Sequence, residues 1–143
     1  MTTRKEVIAT KNAPQAVGSY SQAIKSEEWL FLSGQIGLNP LDAIMVEGGV
    51  EKQTEQIMKN LQAILQEAGG GCDDLLKVTI YLVDLTHFQA VDAIYARYLK
   101  APYPARATVG VAALPKEALV EMDAVARIKQ GFSGFLHPDD VEV

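Results

Sequence analysis

Apolar residues follow two rhythms along this chain, and each rhythm predicts a kind of element. Short alternating runs at 5–9, 21–25 and 29–33 predict three strands, with Ser26-Glu27-Glu28 as the hairpin between the second and third. Pro14 and Gly18 punctuate the stretch from Asn12 to Tyr20, which reads as loop. From 50 to 68 the rhythm changes. Ile57, Leu61, Ile64, Leu65 and Ala68 recur at three- and four-residue steps, one buried stripe of an amphipathic helix. Gly69-Gly70-Gly71 ends it, because glycine accepts the left-handed backbone that closes many helices. The intervening 34–49, rich in Gly, Asn and Pro, is longer than most connections, and such loops are often functional.

The second half repeats both rhythms. Val78-Thr79-Ile80-Tyr81-Leu82 alternates within a strand expected over 75–83. A second helix is expected from Thr86, where Thr86-His87-Phe88-Gln89 fits a capping box and Phe88, Val91, Tyr95, Tyr98 and Leu99 form its stripe. Ala101-Pro102-Tyr103-Pro104 stops it. Strands at 106–113 and 119–128 flank a turn at 114–118 and read as a closing hairpin. The order β-β-β-α-β-α-β-β predicts an α+β domain over 1–128, with two helices on one face of a mixed sheet. The other face still carries Val, Ile, Met and Ala positions, and self-association is the simplest cover for it. Residues 129–143 read as an extension beyond the core, with Phe132, Phe135 and Leu136 as its docking residues.

Composition narrows the function classes. A chain of 143 residues is one domain by length and buries about 70% of its unfolded surface. One cysteine, Cys72, forms no internal bridge and suits a reducing compartment. The start MTTRKEVIATKN has no apolar signal core, and no apolar run nears the ~20 residues of a membrane span, so a cytoplasmic protein without membrane contact is expected. A net charge of −5 with only four arginines argues against nucleic-acid binding, which runs on phosphate neutralisation.

Candidate chemistry is sparse. His87 and His137 are the only histidines, too few for a zinc cluster or a defended Ser-His-Asp or Cys-His arrangement. Gly69-Gly70-Gly71 follows a helix instead of preceding one, so it is no phosphate loop. Arg106 and Glu121 stand out as charges within apolar strands. A fixed guanidinium suits a carboxylate, and a desolvated carboxyl suits acid–base work. The alternative is that Glu121 and Asp123 line a solvated side and Arg106 forms a surface ion pair.

At these residues the sequence resembles the RidA (YjgF) family, also labelled L-PSP endoribonuclease or translation inhibitor. The resemblance rests on Asn12-Ala13-Pro14, Gly18-Ser19-Tyr20-Ser21-Gln22-Ala23, Ser33-Gly34-Gln35-Ile36, Tyr103-Pro104-Ala105-Arg106, Leu114-Pro115-Lys116 and Val120-Glu121-Met122-Asp123-Ala124-Val125-Ala126, in order and at matching spacing over about 5–128. It implies a chorismate-mutase-like fold and a homotrimer with clefts between subunits. It also implies cofactor- and metal-free hydrolysis of 2-imino and 2-enamino acids, released by pyridoxal-phosphate enzymes, to 2-keto acids and ammonia. By position, Arg106 matches the residue that holds the substrate carboxylate. Glu121 matches the acid that positions water and relays protons, and Tyr20, Ser33 and Gly34 match pocket residues.

Departures bear on substrate range. Thr108 replaces a frequent cysteine, Asp92 a frequent asparagine and Ser19 a frequent proline, and the stretch from Leu99 to Tyr103 is short. A carboxylate-binding trimer without catalysis, and an endoribonuclease or translation inhibitor, are the alternatives. In the closing hairpin Glu121 would stand level with Val111, about 17 Å along the strand from Arg106. Two different subunits would then supply the two residues to one small substrate.

Overall fold

The computed structural model describes residues 4–129. Among them, strands β1 (Glu6–Ile8), β2 (Ala23–Ser26), β3 (Trp29–Gln35), β4 (Leu75–Leu82), β5 (Ala105–Gly110) and β6 (Val120–Arg127) form one sheet in the order β1-β2-β3-β6-β4-β5. Helices α1 (Gly49–Glu67) and α2 (Phe88–Arg97) lie side by side on one face. The α+β class and the two-helix layer are as the alternating and helical rhythms predict.

Alternation decides which side chains meet the helices. Leu30 and Leu32 of β3, Val78, Ile80 and Leu82 of β4, and Val120, Met122, Ala124 and Ala126 of β6 are buried against Ile57, Met58, Leu61, Ile64, Leu65, Val91 and Tyr95. Each fully buried side chain of this size contributes about 1.5–3 kcal/mol over leaving it in water. The opposite face is open in a single chain: Phe31 is 50% and Trp29 46% exposed. The expectation that Met would be stranded on this open face is corrected: Met122 turns toward the helices. The Val, Ile and Ala positions are there as expected, with Ile24, Ala107, Val109 and Val125 beside Phe31 on the open side.

The closing hairpin is also corrected. β5 and β6 do not pair; β4 lies between them, parallel to β5 and antiparallel to β6. The physical reason is the strand–helix–strand passage through α2, which returns the chain beside β4 in the same direction. β6 then enters the centre, where both of its edges are paired. The second helix starts later than expected. Asp84, not Thr86, caps a 3-10 turn at Leu85–His87 by accepting from Thr86 N at 2.9 Å and Thr86 Oγ1 at 2.7 Å. α2 begins after that turn, and the Thr86 hydroxyl is spent on Asp84 instead of a box with Gln89. The first helix ends as expected, at Gly69 with φ +92°. His137, Phe132, Phe135 and Leu136, with nearly all of the expected extension, lie outside the described residues.

Candidate active site

Arg106 stands opposite Val78 in the parallel β4–β5 pair, so its side chain projects to the helix side. There the guanidinium lies 4.9 Å from the centroid of Phe88 and 5.3 Å from that of Tyr95. Its Nη1 donates to Asp92 Oδ1 at 2.6 Å. Phe88, Asp92 and Tyr95 fall at i, i+4 and i+7 of α2, one face of the helix, so a single element supplies the whole seat. Two rings and one carboxylate fix the plane of the guanidinium. An ion pair this exposed adds little stability. Thr108, opposite Ile80, points to the same side and is half-buried. A cleft of about 430 Å³ opens here between Asp92, Tyr95, Tyr103, Pro104 and Arg106.

Glu121 occupies the other face. It stands opposite Tyr81 of β4, on the open side of the sheet. The register between β3 and β6 shifts between Leu32 and Gln35, a bulge that contains Ser33 and Gly34. The bulge presses Gly34 against the Glu121 carboxyl. A Cβ at Gly34 would collide with Glu121 Oε2 and lie 3.0 Å from its Cδ. Ser33 ties the bulge to the preceding loop, donating from Oγ to Ser21 O at 2.5 Å and from N to Gln22 O at 2.9 Å. Tyr20, next to Ser21, is 51% exposed.

Gln22 secures that loop from beneath. Its buried amide accepts from Thr10 N at 2.7 Å and donates to Thr10 O at 3.0 Å, Ala13 O at 3.3 Å and Pro14 O at 2.7 Å. Burial first, and the neighbouring Asp123 charge second, push the Glu121 carboxyl above its ordinary range.

The structure therefore sorts the expected residues into two groups. Ser33, Gly34 and Glu121 belong to one, with Tyr20 on the loop that Ser33 anchors, and Asp92, Arg106 and Thr108 to the other. Val78 and Tyr81 mark their levels on β4. Three residues of offset give about 10 Å along the strands, and two strand spacings give about 10 Å across. The hairpin register that set Glu121 level with Val111 is replaced: across β4, Glu121 is level with Val109. The two side chains lie on opposite faces of the sheet.

The family model described as Endoribonuclease L-PSP matches residues 10–128. The chain belongs to the RidA (L-PSP) family. It is similar to the chloroplastic Reactive Intermediate Deaminase A of Arabidopsis thaliana, with 47% identity over 87% of this chain and 67% of that one. It is 43% identical to the human 2-iminobutanoate/2-iminopropanoate deaminase over 85% of this chain and 89% of the relative. A crystal structure of a conserved Rid-family protein, YyfA of Yersinia pestis, superposes with a TM-score of 0.85 at 48% identity, covering 87% of this chain and all of that one. The RidA-family fold is thus established for this chain.

The sequence reading missed several neighbours of the two groups. Phe88 and Tyr95 were read only as a core stripe, although their spacing brackets Asp92 on one helix face. Tyr81 was legible as a same-face neighbour of Glu121 and Asp123 only once β4 was known to pair with β6. His87 has no catalytic setting. Its Nδ1 is buried without a partner among the described residues, and its Nε2 lies 4.0 Å from Asp84. Cys72 is half-buried in a 3-10 turn, and burial raises its thiol's proton affinity. Among the described residues no three His, Cys, Asp or Glu side chains cluster as metal ligands would, and no helix is long and apolar enough to cross a membrane.

Proposed function

We propose that this RidA-family chain hydrolyses 2-imino acids, and the 2-enamino acids that tautomerise to them, to 2-keto acids and ammonia. The observation that carries the reading is the Glu121 carboxyl, held against Gly34 and biased toward its protonated form. The relatives named as imine deaminases support it. In this reading Arg106, oriented by Asp92, grips the substrate carboxylate through its free edge. Glu121 gives its proton to the imine nitrogen. As carboxylate it then takes a proton from the water that attacks the C=N carbon. In the carbinolamine so formed, Glu121 gives this proton to the nitrogen and takes the hydroxyl proton as the carbon–nitrogen bond breaks, so that the water oxygen becomes the ketone oxygen, ammonia leaves and Glu121 is protonated again. Tyr20, Ser33 and Gly34 wall the pocket around Glu121, and Thr108 offers a hydroxyl beside Arg106.

Opposite-face placement bears on assembly. A homotrimer in which one copy brings Arg106 to the Glu121 of the next completes the site and covers the open sheet face. A small 2-imino or 2-keto acid is the ligand in this reading, with no nucleic acid.

The test is the decay of 2-aminocrotonate, generated in place by a threonine dehydratase, with 2-ketobutyrate release followed for wild type and Arg106→Ala. Acceleration by the wild type alone is expected. Equal acceleration by the variant would remove the carboxylate-anchor role. Absence of any acceleration would sink the deaminase reading and favour a carboxylate-binding protein.

A further inference from the structure

Glu121 has a companion that the reaction does not use. Asp123 lies two residues on along β6, on the same open face, about 7 Å away at the backbone. The two carboxyls are solvated unequally. Tyr81 Oη donates to Asp123 Oδ2 at 2.8 Å. The Glu121 carboxyl receives no hydrogen bond from another described residue and is half-buried against Gly34. When two neighbouring carboxyls share limited solvation, the negative charge settles on the one with a donor and the proton on the one without.

We propose that Tyr81 and Asp123 are positioning residues that fix where this proton sits: Asp123 carries the charge, Tyr81 anchors it there, and Glu121 keeps the proton with which it meets the substrate. The proposal rests on the deaminase reading for its catalytic meaning, while the placement of the proton does not. The other groups facing Glu121 leave the assignment intact. From β3 the bulge presents Ser33 and Gly34, which do not titrate in this range. From β4 the facing side chain is Tyr81, with Lys77 four residues further along the same face. An Arg106 supplied by a second copy would arrive with its charge already matched by Asp92. The same bond is the first cause that holds the Tyr81 phenol above its ordinary value, as an anion beside it would.

The test is a carbon-13 NMR titration of the side-chain carboxyls in the assembled protein, with Glu121 Cδ assigned by its loss in Glu121→Gln. A Glu121 midpoint above the ordinary carboxyl range is expected. It should fall in Asp123→Asn, where the neighbouring charge is gone. In Tyr81→Phe the Glu121 midpoint should fall as well, because the negative charge is then held less firmly beside it. The alkaline limb of the kcat profile should track the Glu121 midpoint in wild type and in Asp123→Asn. A Glu121 midpoint that stays put in both variants would overturn the proposal. A midpoint that moves as expected in a protein with no deaminase activity would uphold the proton placement and refute the deaminase reading alone.

Discussion

Gly34→Ala isolates the contact on which the proposed chemistry turns. Gly34 has no positive φ, so an alanine backbone fits without strain. The added Cβ, however, occupies the space of Glu121 Oε2 and sits 3.0 Å from Glu121 Cδ. What yields is the far end of a flexible side chain, not the sheet. Driving the carboxyl off its rotamer costs about 0.5–1.5 kcal/mol, so the variant should fold and melt within a few degrees of wild type.

The reactive geometry suffers far more. A displacement of roughly 1 Å at a proton-transfer group is worth about 100-fold in rate, or about 2.7 kcal/mol of barrier. The assay is 2-ketobutyrate release under saturating imine, with a thermal melt alongside. The control is the same substitution in a Glu121→Gln background. There the carboxyl function is already lost, and Gly34→Ala should cost less than about threefold more. Wild-type turnover in Gly34→Ala, or an undiminished hundredfold loss in the Gln background, would refute the claim that this glycine acts through Glu121.

The other predictions concern charge and loop anchoring. Asp92→Asn keeps an acceptor for Arg106 but removes its counter-charge, so 2-keto acid binding by calorimetry should tighten up to about fivefold at low salt. A weakening would mean that the carboxylate is needed to hold the guanidinium. Burial and Asp123 raise the Glu121 carboxyl, so its contribution to stability is present below its unfolded value and lost as pH rises through its folded one. Glu121→Gln should therefore gain on wild type in urea melts as pH is raised from 4 to 8; a constant difference would contradict the shift. Gln22→Ala strands the Thr10 amide and the carbonyls of Thr10, Ala13 and Pro14, and should cost about 2–3 kcal/mol in urea denaturation. A loss below 0.5 kcal/mol would show that water replaces the amide.

How much was legible in advance follows the range of the interactions. The α1 stripe from Ile57 to Leu65 and the alternation of Val78, Ile80 and Leu82 are local patterns, and they named their elements and their buried faces correctly. The cap at Asp84 was missed because Thr86 offers an equally good local signal, and only the direction of its hydroxyl hydrogen bond separates the two. Strand order was missed for a different reason. The turn before β6 imitates a hairpin, whereas the pairing that prevails joins β6 to β3 and β4, residues far away in sequence. Arg106 and Glu121 were visible as charges in apolar strands. Their partners were not, since Phe88, Asp92 and Gly34 reach them only through the finished fold.

The placement of Arg106 and Glu121 on opposite faces of one sheet has a genetic consequence. If a working site borrows each residue from a different copy, damage to the two is complementary. Chains carrying Arg106→Ala and chains carrying Glu121→Ala would each be inert alone. Mixed at random in one symmetric ring, they would rebuild an intact pairing at about one junction in four. Two null alleles of this gene would then restore a quarter of the activity between them, whereas two lesions on the same face would restore none.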